Sequence, residues 1–184
     1  MRLRRLLNPR SIAFVGGAEC AVAIERTRAL GFTGQIWAVN PRRRQLGGIE
    51  TIPAVSDIDG SPDAAFIALP RAATPGGVGE LHALGCGGAV IYAAGFAESG
   101  EHSLQQALLA AAAGMPLLGP NCYGFINAAS RVALWPDEHG LLPLDRGVAI
   151  VTQSGNIGCN LTMLQRGLPL AALLFVLFPR LAMP

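Results

Sequence analysis

Short apolar runs alternate with longer mixed segments along most of this chain. The runs have the length of strands buried on both faces, and the segments between them hold helix formers. The predicted strands are 12–15, 35–39, 63–69, 88–94 and 115–118, and the predicted helices are 20–30, 74–84 and 101–113. Because strands that alternate with helices build parallel sheets with right-handed crossovers, the pattern predicts an α/β fold.

The pattern breaks in two places. Residues 42–58 read as irregular with a short helical turn at 55–57, and residues 119–146 read as loops and short extended pieces. A strand at 147–152 and a helix at 157–166 then restart it, with Ser154 as a predicted N-cap and Gly167 as the C-cap. We therefore predict a first domain over 1–142 and an incomplete second α/β unit over 143–184, which has too few elements to cover both faces of a sheet.

Composition narrows the class of protein. Apolar residues make up 51% of the 184-residue chain and the net charge is only +2. This balance gives no general nucleic-acid footprint, so no nucleic-acid partner is expected. The start of the chain lacks a signal-peptide apolar run, and the run Leu168–Phe178 is too short to span a bilayer. We expect a cytoplasmic protein without a membrane segment, whose apolar tail favours association, including association between copies of the chain.

Some chemistry is excluded by the residues themselves. The 14 basic residues are all arginine, so a Schiff base and a Walker lysine are excluded. The four cysteines lie far apart and, with three scattered histidines, give no zinc spacing, so no metal site is predicted and packed thiols are expected.

The candidate chemistry lies just after the predicted strands, because ligands of open parallel sheets bind at the carboxyl ends of the strands. Paired glycines after the first strand let the backbone turn tightly, and the N-terminus of the next helix attracts anions. The segments that follow the strands contain Gly16, Gly17 and Ala18; Asn40, Pro41, Arg42 and Arg43, with Arg44; Leu69, Pro70 and Arg71; and Ala94, Gly95 and Phe96.

The segment after the second strand is the most informative. Domains that bind NAD usually carry an acidic residue there for the ribose hydroxyls, whereas this chain has Asn40, Pro41 and the arginines 42–44. Arginine binds phosphate through paired donors, so the sequence favours a phosphorylated nucleotide such as NADP or coenzyme A. A solvated basic turn is the alternative interpretation.

Several motifs carry a resemblance to a known family. They are Arg10-Ser-Ile-Ala-Phe-Val-Gly16, Val39-Asn-Pro41, Phe66-Ile-Ala-Leu-Pro70, Ala93-Ala-Gly-Phe-Ala-Glu98, Gly119-Pro-Asn-Cys-Tyr-Gly124 and Val148-Ala-Ile-Val-Thr-Gln-Ser-Gly155. In this order they resemble the NDP-forming acyl-CoA synthetases, a family similar to the α subunit of succinyl-CoA synthetase. The resemblance covers about residues 6–168. It implies a Rossmann-like CoA-binding domain with a parallel sheet, followed by the start of a flavodoxin-like ligase domain.

The resemblance also implies roles for individual residues. Gly16, Gly17 and Ala18 would contact the CoA diphosphate, and Arg42 or a neighbour the 3′-phosphate. Residues 69–71 would lie near the adenosine or diphosphate and residues 94–96 along the pantetheine. The remaining positions are Asn121 and Cys122 near the thiol end, and Ser154, Gly155 and Asn156 at a helix N-terminus that helps to hold a phosphohistidine.

The function implied is CoA binding within an enzyme that converts acid, CoA and ATP or GTP into acyl-CoA, NDP and phosphate. The first glycine loop is shorter than the family's usual form, and the phosphohistidine and ATP-grasp regions would lie outside these 184 residues. We therefore predict no catalytic residue and no activity for the isolated chain, with an ATP-grasp subunit or domain as its partner. Two alternatives stay open: an NADP-binding oxidoreductase or nucleotide sensor, and a non-catalytic module whose apolar tail docks on a partner subunit.

Overall fold

The computed structural model describes residues 3–164 and 169–175. The strands are β1 (Ser11–Gly16), β2 (Gln35–Val39), β3 (Gln45–Leu46), β4 (Ile49–Ile52), β5 (Ala64–Ala68), β6 (Ala89–Ile91), β7 (Leu117–Leu118), β8 (Phe125–Asn127), β9 (Val132–Leu134), β10 (Val148–Thr152) and β11 (Leu170–Phe175). The helices are α1 (Arg4–Leu7), α2 (Ala18–Ala29), α3 (Thr74–Ala83), α4 (His102–Ala112) and α5 (Gly155–Met163), with 3-10 turns at Val55–Asp57 and Ala97–Ser99.

A seven-stranded sheet with the order β3-β4-β2-β1-β5-β6-β7 forms the main layer. Its neighbouring strands are parallel except for β3 and β4. The strand β1 lies between β2 and β5, where Val15 is opposite both Val39 and Ile67. The carboxyl ends of these three strands therefore meet at one edge, and the predicted α/β fold class is confirmed.

Alternate residues of β1 face two separate cores. Phe14 packs with Cys20 and Ile24 of α2, whereas Val15 packs on the opposite face with Val78 of α3 and Leu108 of α4. Both faces of the sheet are covered, which explains why its central strands read as unbroken apolar runs.

The segment 42–58, predicted to be irregular, contains the hairpin of β3 and β4. Gly47 and Gly48 form its two-residue turn with φ of +52° and +75°, which is the backbone geometry of a type I′ hairpin. The β3 strand has two residues, too few to show an alternating pattern. The prediction was therefore wrong here, although the helical turn at 55–57 is present.

The segment 119–146 contains a second hairpin, β8–β9, which joins β10 and β11 in a four-stranded sheet of order β10-β11-β8-β9. This hairpin packs on α2, where the Thr27 hydroxyl donates to the Ala133 carbonyl (2.8 Å) and accepts from the Ala133 N–H (3.2 Å). Strands from both sides of the predicted boundary at residue 142 share this sheet. The division into 1–142 and 143–184 stays a prediction.

The apolar run at 168–178 is a strand where the structure describes it, rather than a free tail. β11 lies between β10, to which it is parallel, and β8, to which it is antiparallel, and Leu170 and Leu173 are buried. The interpretation of this segment as a docking tail is therefore wrong for Leu170, Ala171 and Leu173, because these residues are buried within their own sheet. The rest of the tail and the predicted cap Gly167 lie outside the described residues.

The strand β10 lies at the edge of that sheet and is poorly covered. Val148 is 40% exposed and Val151 63%, and the neighbouring Ile157 of α5 is 56% exposed. Apolar parallel strands are normally covered on both faces, so the exposure of these side chains is unusual for such a strand.

An ion pair between Arg5 and Asp63 holds the N-terminal segment against the large sheet, at the amino end of β5. The Arg5 guanidinium donates to Asp63 Oδ1 (2.7 Å) and to the carbonyls of Gly85 (2.9 Å) and Pro62 (3.1 Å). The other Asp63 oxygen accepts from the Arg10 N–H at 2.9 Å. Burial raises the pKa of Asp63, but these bonds and the nearby positive charges outweigh it, so the pKa lies below its ordinary value.

Within residues 3–164 and 169–175, no helix combines the length and the apolar character needed to cross a membrane.

Candidate functional site

The turn between β1 and α2 lies at the carboxyl edge of the large sheet. A Cβ on Gly16, whose φ is +149°, would come within 2.5 Å of the Ala68 carbonyl oxygen. A Cβ on Gly17 would meet no atom within 4 Å. Gly16 is therefore required by the packing of β1 against β5, whereas Gly17 leaves an open backbone surface.

Helix α2 begins directly on this turn. Its first residue is Ala18, two positions earlier than predicted, and its N-cap Gly17 provides no side-chain cap. The first N–H groups of a helix lack intrahelical acceptors, so this end can bind an anion. Glu19 in the first turn lowers that attraction, because it already places a carboxylate beside the helix N-terminus.

Asn40 connects this turn to the arginine segment. Its amide nitrogen donates to the Gly16 carbonyl at 2.7 Å, and its amide oxygen accepts from the N–H groups of Arg42 and Arg43, each at 2.9 Å. Three of the four hydrogen-bonding positions of this amide are bonded to backbone groups, so Asn40 holds the end of β2, the end of β1 and the arginine turn in one arrangement.

The arginine groove, as we call it, has a volume of about 350 Å³. It is lined by Asn40, Pro41, Arg42, Arg43, Arg44, Glu50, Thr51 and Pro53. Thr51 stabilises the backbone of the arginine segment, because the Thr51 hydroxyl donates to the Arg43 carbonyl and the Thr51 N–H donates to the Arg44 carbonyl. Among the described residues, the guanidinium groups of Arg42, Arg43 and Arg44 form no ion pair, and all three residues are exposed. The groove is positive, and Glu50 is the one carboxylate among the described residues that line it.

A second groove, the apolar groove, has a volume of about 320 Å³. It is lined by Val15, Gly16, Val39, Asn40, Pro41, Pro53, Ala54, Val55, Leu69, Ala73, Gly76, Gly77 and Glu80. It shares Asn40, Pro41 and Pro53 with the arginine groove, so the two are continuous. A flat apolar group can therefore lie in one while an attached anion reaches the other.

Two glycines of α3 shape the wall of the apolar groove. A Cβ on Gly77 would approach Leu69 Cδ1 to 2.9 Å, so Gly77 lets the helix pack closely on the end of β5. A Cβ on Gly76 would meet nothing within 4 Å and would instead project into open space.

The predicted segment at Arg71 is engaged with its own neighbours. Arg71 donates to the Gly95 carbonyl at 3.2 Å and lies 3.8 Å from Glu101. The Glu98 carboxylate accepts from the N–H groups of Gly95 (2.8 Å) and Phe96 (3.2 Å). The whole of Phe96 is buried and its N–H is taken by Glu98, so this residue offers a ligand no accessible surface.

Asn121 and Cys122 follow β7 at the same edge. The Asn121 N–H donates to the Ala93 carbonyl at 2.8 Å, and the Cys122 N–H donates to the Ile91 carbonyl at 3.2 Å. The Cys122 side chain is only 1% exposed. This thiol lies in the core, as expected for a packed cysteine, while the Asn121 side chain is exposed.

The predicted phosphate turn lies next to this segment. The Tyr123 ring is 3.6 Å from the position that a Cβ on Gly155 would take. Ser154 is the N-cap of α5, as predicted, because its hydroxyl accepts from the Ile157 N–H at 3.3 Å. Tyr123 also stacks at an angle on Tyr92 and Trp135, with ring centroids 5.9 Å and 5.2 Å away. Partial burial, followed by Asp137 and Cys159, raises the pKa of the Tyr123 phenol.

Many of the predicted residues fall into two groups, whereas residues 17–18, 70–71 and 94–96 line neither groove. The paired grooves bring together Gly16, Asn40, Pro41, Arg42, Arg43 and Leu69, while Asn121, Cys122, Ser154 and Gly155 cluster around Tyr123. Sequence reasoning missed Pro53, Val55 and Glu80 of the apolar groove, since nothing in a single sequence shows which face of α3 or which part of the loop after β4 reaches this edge.

Comparison with known proteins identifies relatives of this chain. The profile of a family described as CoA binding domain matches residues 9–128. The chain is 36% identical over 172 residues to a trans-feruloyl-CoA synthase from an unknown prokaryotic organism, a match that covers 87% of this chain and 24% of that protein. It is 31% identical over 160 residues to an ADP-forming acetate–CoA ligase from Methanocaldococcus jannaschii, covering 84% of this chain and 22% of that protein.

A solved structure agrees with these relatives. The apo form of a dinucleotide-forming acetyl-coenzyme A synthetase 1 from Ca. Korarchaeum cryptofilum superposes with a TM-score of 0.83 at 27% identity. That match covers 95% of this chain and 40% of the other chain. The present chain spans about a quarter of the length of the two curated relatives named above.

Proposed function

This chain belongs to the CoA-binding domain family, and we propose that it binds coenzyme A through the paired grooves at the carboxyl edge of its large sheet. In this arrangement the adenosine lies in the apolar groove and its 3′-phosphate reaches the arginine groove. The observation that carries the proposal is the double role of Asn40, which ties the Gly16 turn to the backbone of Arg42 and Arg43.

Charge and shape support this assignment. Three exposed guanidinium groups without an ion pair among the described residues favour a doubly charged phosphate monoester. The apolar lining of the second groove favours a purine ring, and the open backbone at Gly17 admits a diphosphate. The pantetheine would then run toward Asn121 and Tyr123, with its thiol near Ser154 and Gly155.

We further propose that this site serves an NDP-forming acyl-CoA synthetase, which makes acyl-CoA, NDP and phosphate from acid, CoA and ATP or GTP. The names of the relatives support this, since one is an ADP-forming acetate–CoA ligase. The chain's share would be to hold CoA with the thiol beside the α5 N-terminus, whose N–H groups suit a phosphoryl group. The phosphohistidine and ATP-grasp regions would come from other parts of the assembly.

A partner domain or subunit would fit the edge strand β10. The exposed side chains of Val148, Val151 and Ile157 support this, because an apolar parallel strand gains from a neighbour on its open side. We expect no acyl-CoA from the isolated chain when it is supplied with acetate, ATP and CoA. Formation of acetyl-CoA under these conditions would contradict the proposal that other parts of the assembly are needed for the reaction.

Calorimetry with CoA and dephospho-CoA tests the binding proposal. We expect CoA to bind at least about tenfold more tightly than dephospho-CoA, because dephospho-CoA lacks the 3′-phosphate. The double variant Arg42→Ala/Arg43→Ala should lose this preference, and the exposed control Arg146→Ala should keep it. Equal affinities for the two ligands in the wild-type protein would remove the role of the arginine groove, and preferential binding of NADPH would favour an oxidoreductase or sensor.

A further inference from the structure

The apolar groove contains one ionisable side chain among the described residues that line it. That residue is Glu80, on the second turn of α3, and the other lining side chains are apolar apart from Asn40. The Asn40 amide is already used to fix backbone groups. Glu80 is therefore the lining side chain that can offer hydrogen-bond acceptors to a ligand in this groove.

The position of Glu80 is informative as well. It lines the apolar groove but not the arginine groove, and it follows Gly76 by four positions, so both lie on one face of α3. Gly76 and Gly77 leave the wall beside it without long side chains. The carboxylate thus lines the groove that none of Arg42–Arg44 lines.

The Glu80 carboxylate is not committed elsewhere in the described part of the chain. It forms no ion pair and no side-chain hydrogen bond there, whereas Glu98 and Glu101 nearby are engaged with Gly95 and Arg71. A carboxylate accepts hydrogen bonds and donates none, so its ligand partner must be an N–H or O–H donor.

We infer that Glu80 selects adenine, by accepting a hydrogen bond from the exocyclic amine of the base. This inference rests on the proposed function, since it needs the nucleotide in the apolar groove. With the 3′-phosphate at the arginines and the diphosphate at the open Gly17 backbone, the base is the part of the carrier left to occupy the apolar groove, and its exocyclic amine is the N–H donor on the adenine ring. A guanine or hypoxanthine ring would turn a carbonyl oxygen toward the same carboxylate, and two acceptors repel each other.

The experiment compares CoA with an analogue in which purine replaces adenine, which removes the amine and adds neither bulk nor an acceptor. Isothermal titration with the full 184-residue chain should give about fivefold tighter binding of CoA. Glu80→Ala should bind both ligands equally, while Glu80→Gln, which keeps an acceptor oxygen, should retain part of the preference. The exposed helix residue Glu25 lies outside both grooves, so Glu25→Ala should leave the preference unchanged.

A second variant separates base recognition from phosphate recognition. Arg43→Ala should lower the affinities for CoA and for the purine analogue by the same factor, because both ligands carry the 3′-phosphate. Equal affinities for CoA and the purine analogue in the wild-type protein would overturn the role of Glu80, while a retained preference for CoA over dephospho-CoA would keep the proposed function. Loss of both preferences, or the absence of CoA binding, would overturn the two together. An unchanged preference in Glu80→Ala, with the far-ultraviolet circular dichroism of the wild type, would assign base recognition to another group.

Discussion

The side chain of Asn40 donates a hydrogen bond to the backbone carbonyl of Gly16 at 2.7 Å, and so joins the ends of two neighbouring parallel strands. The same side chain accepts from the N–H groups of Arg42 and Arg43. One asparagine therefore sets both the glycine turn and the arginine turn of the proposed CoA site.

Replacing Asn40 by alanine should weaken CoA binding by about tenfold and lower the free energy of unfolding by about 3 kcal/mol. The reason is the loss of three hydrogen bonds in a half-buried position, each with a net contribution of about 1 kcal/mol. Titration calorimetry and urea unfolding measure the two effects. Asn40→Asp keeps the acceptor for residues 42 and 43 but cannot donate to Gly16, so it should be less destabilised than Asn40→Ala. Because its negative charge repels phosphate, it should nevertheless bind CoA at least as weakly as Asn40→Ala. Wild-type affinity in Asn40→Ala would contradict the role of this residue.

The adjacent glycines of the first turn should respond differently to the same substitution. Gly16→Ala should destabilise the protein by about 2 kcal/mol or more, because its Cβ would approach the Ala68 carbonyl to 2.5 Å at a φ of +149°. A Cβ on Gly17 meets no atom within 4 Å, so Gly17→Ala should lower the melting temperature much less than Gly16→Ala while it weakens CoA binding. Thermal unfolding and titration of both variants check this contrast. A Gly17→Ala protein with unchanged CoA affinity would show that the ligand does not approach this backbone.

Filling the apolar groove from α3 should block the ligand without harming the fold. The side chain of Gly76→Leu would project into the groove, since a Cβ there has no neighbour within 4 Å. We expect CoA affinity to fall more than tenfold, while stability stays the same or rises by up to about 1 kcal/mol from the better helix propensity. Gly79→Ala is the matched control, because it changes the same helix outside the groove. Undiminished binding to Gly76→Leu would place the adenosine elsewhere.

The ion pair of Arg5 and Asp63 should make stability depend on acid pH. Because the pKa of Asp63 is lower in the folded protein than in the unfolded chain, its stabilisation is present above about pH 4, the unfolded value, and is lost as the pH falls through the folded pKa. Asp63→Asn should cost about 1 kcal/mol at pH 7, a modest amount since Arg5 is partly exposed, and much less at pH 2. Urea unfolding at the two pH values measures the difference. The exposed control Asp59→Asn should behave like the wild type at both, and a pH-independent cost in Asp63→Asn would contradict the assignment.

The sequence by itself determined the alternation of apolar strands and helices, and with it the parallel sheet. Runs such as 12–15 and 64–67 are apolar at every position because both of their faces are covered, and this requirement is visible in one dimension. The glycine turn, the arginine segment and the family motifs are also local in sequence. They were sufficient to identify a CoA-binding domain.

Only the tertiary structure decided what depends on contacts between distant segments. The hairpin β8–β9 has strands of three residues, and its position follows from the Thr27 side chain more than a hundred residues away along the chain. Asn40 reads as a turn residue until Gly16 lies beside it, and Glu80 reads as an ordinary exposed residue until the end of β2 faces α3. Hydrogen bonds and groove walls that join distant segments leave no periodic pattern in the sequence. Each strand or helix supplies only one partner of such a bond or one wall of such a groove.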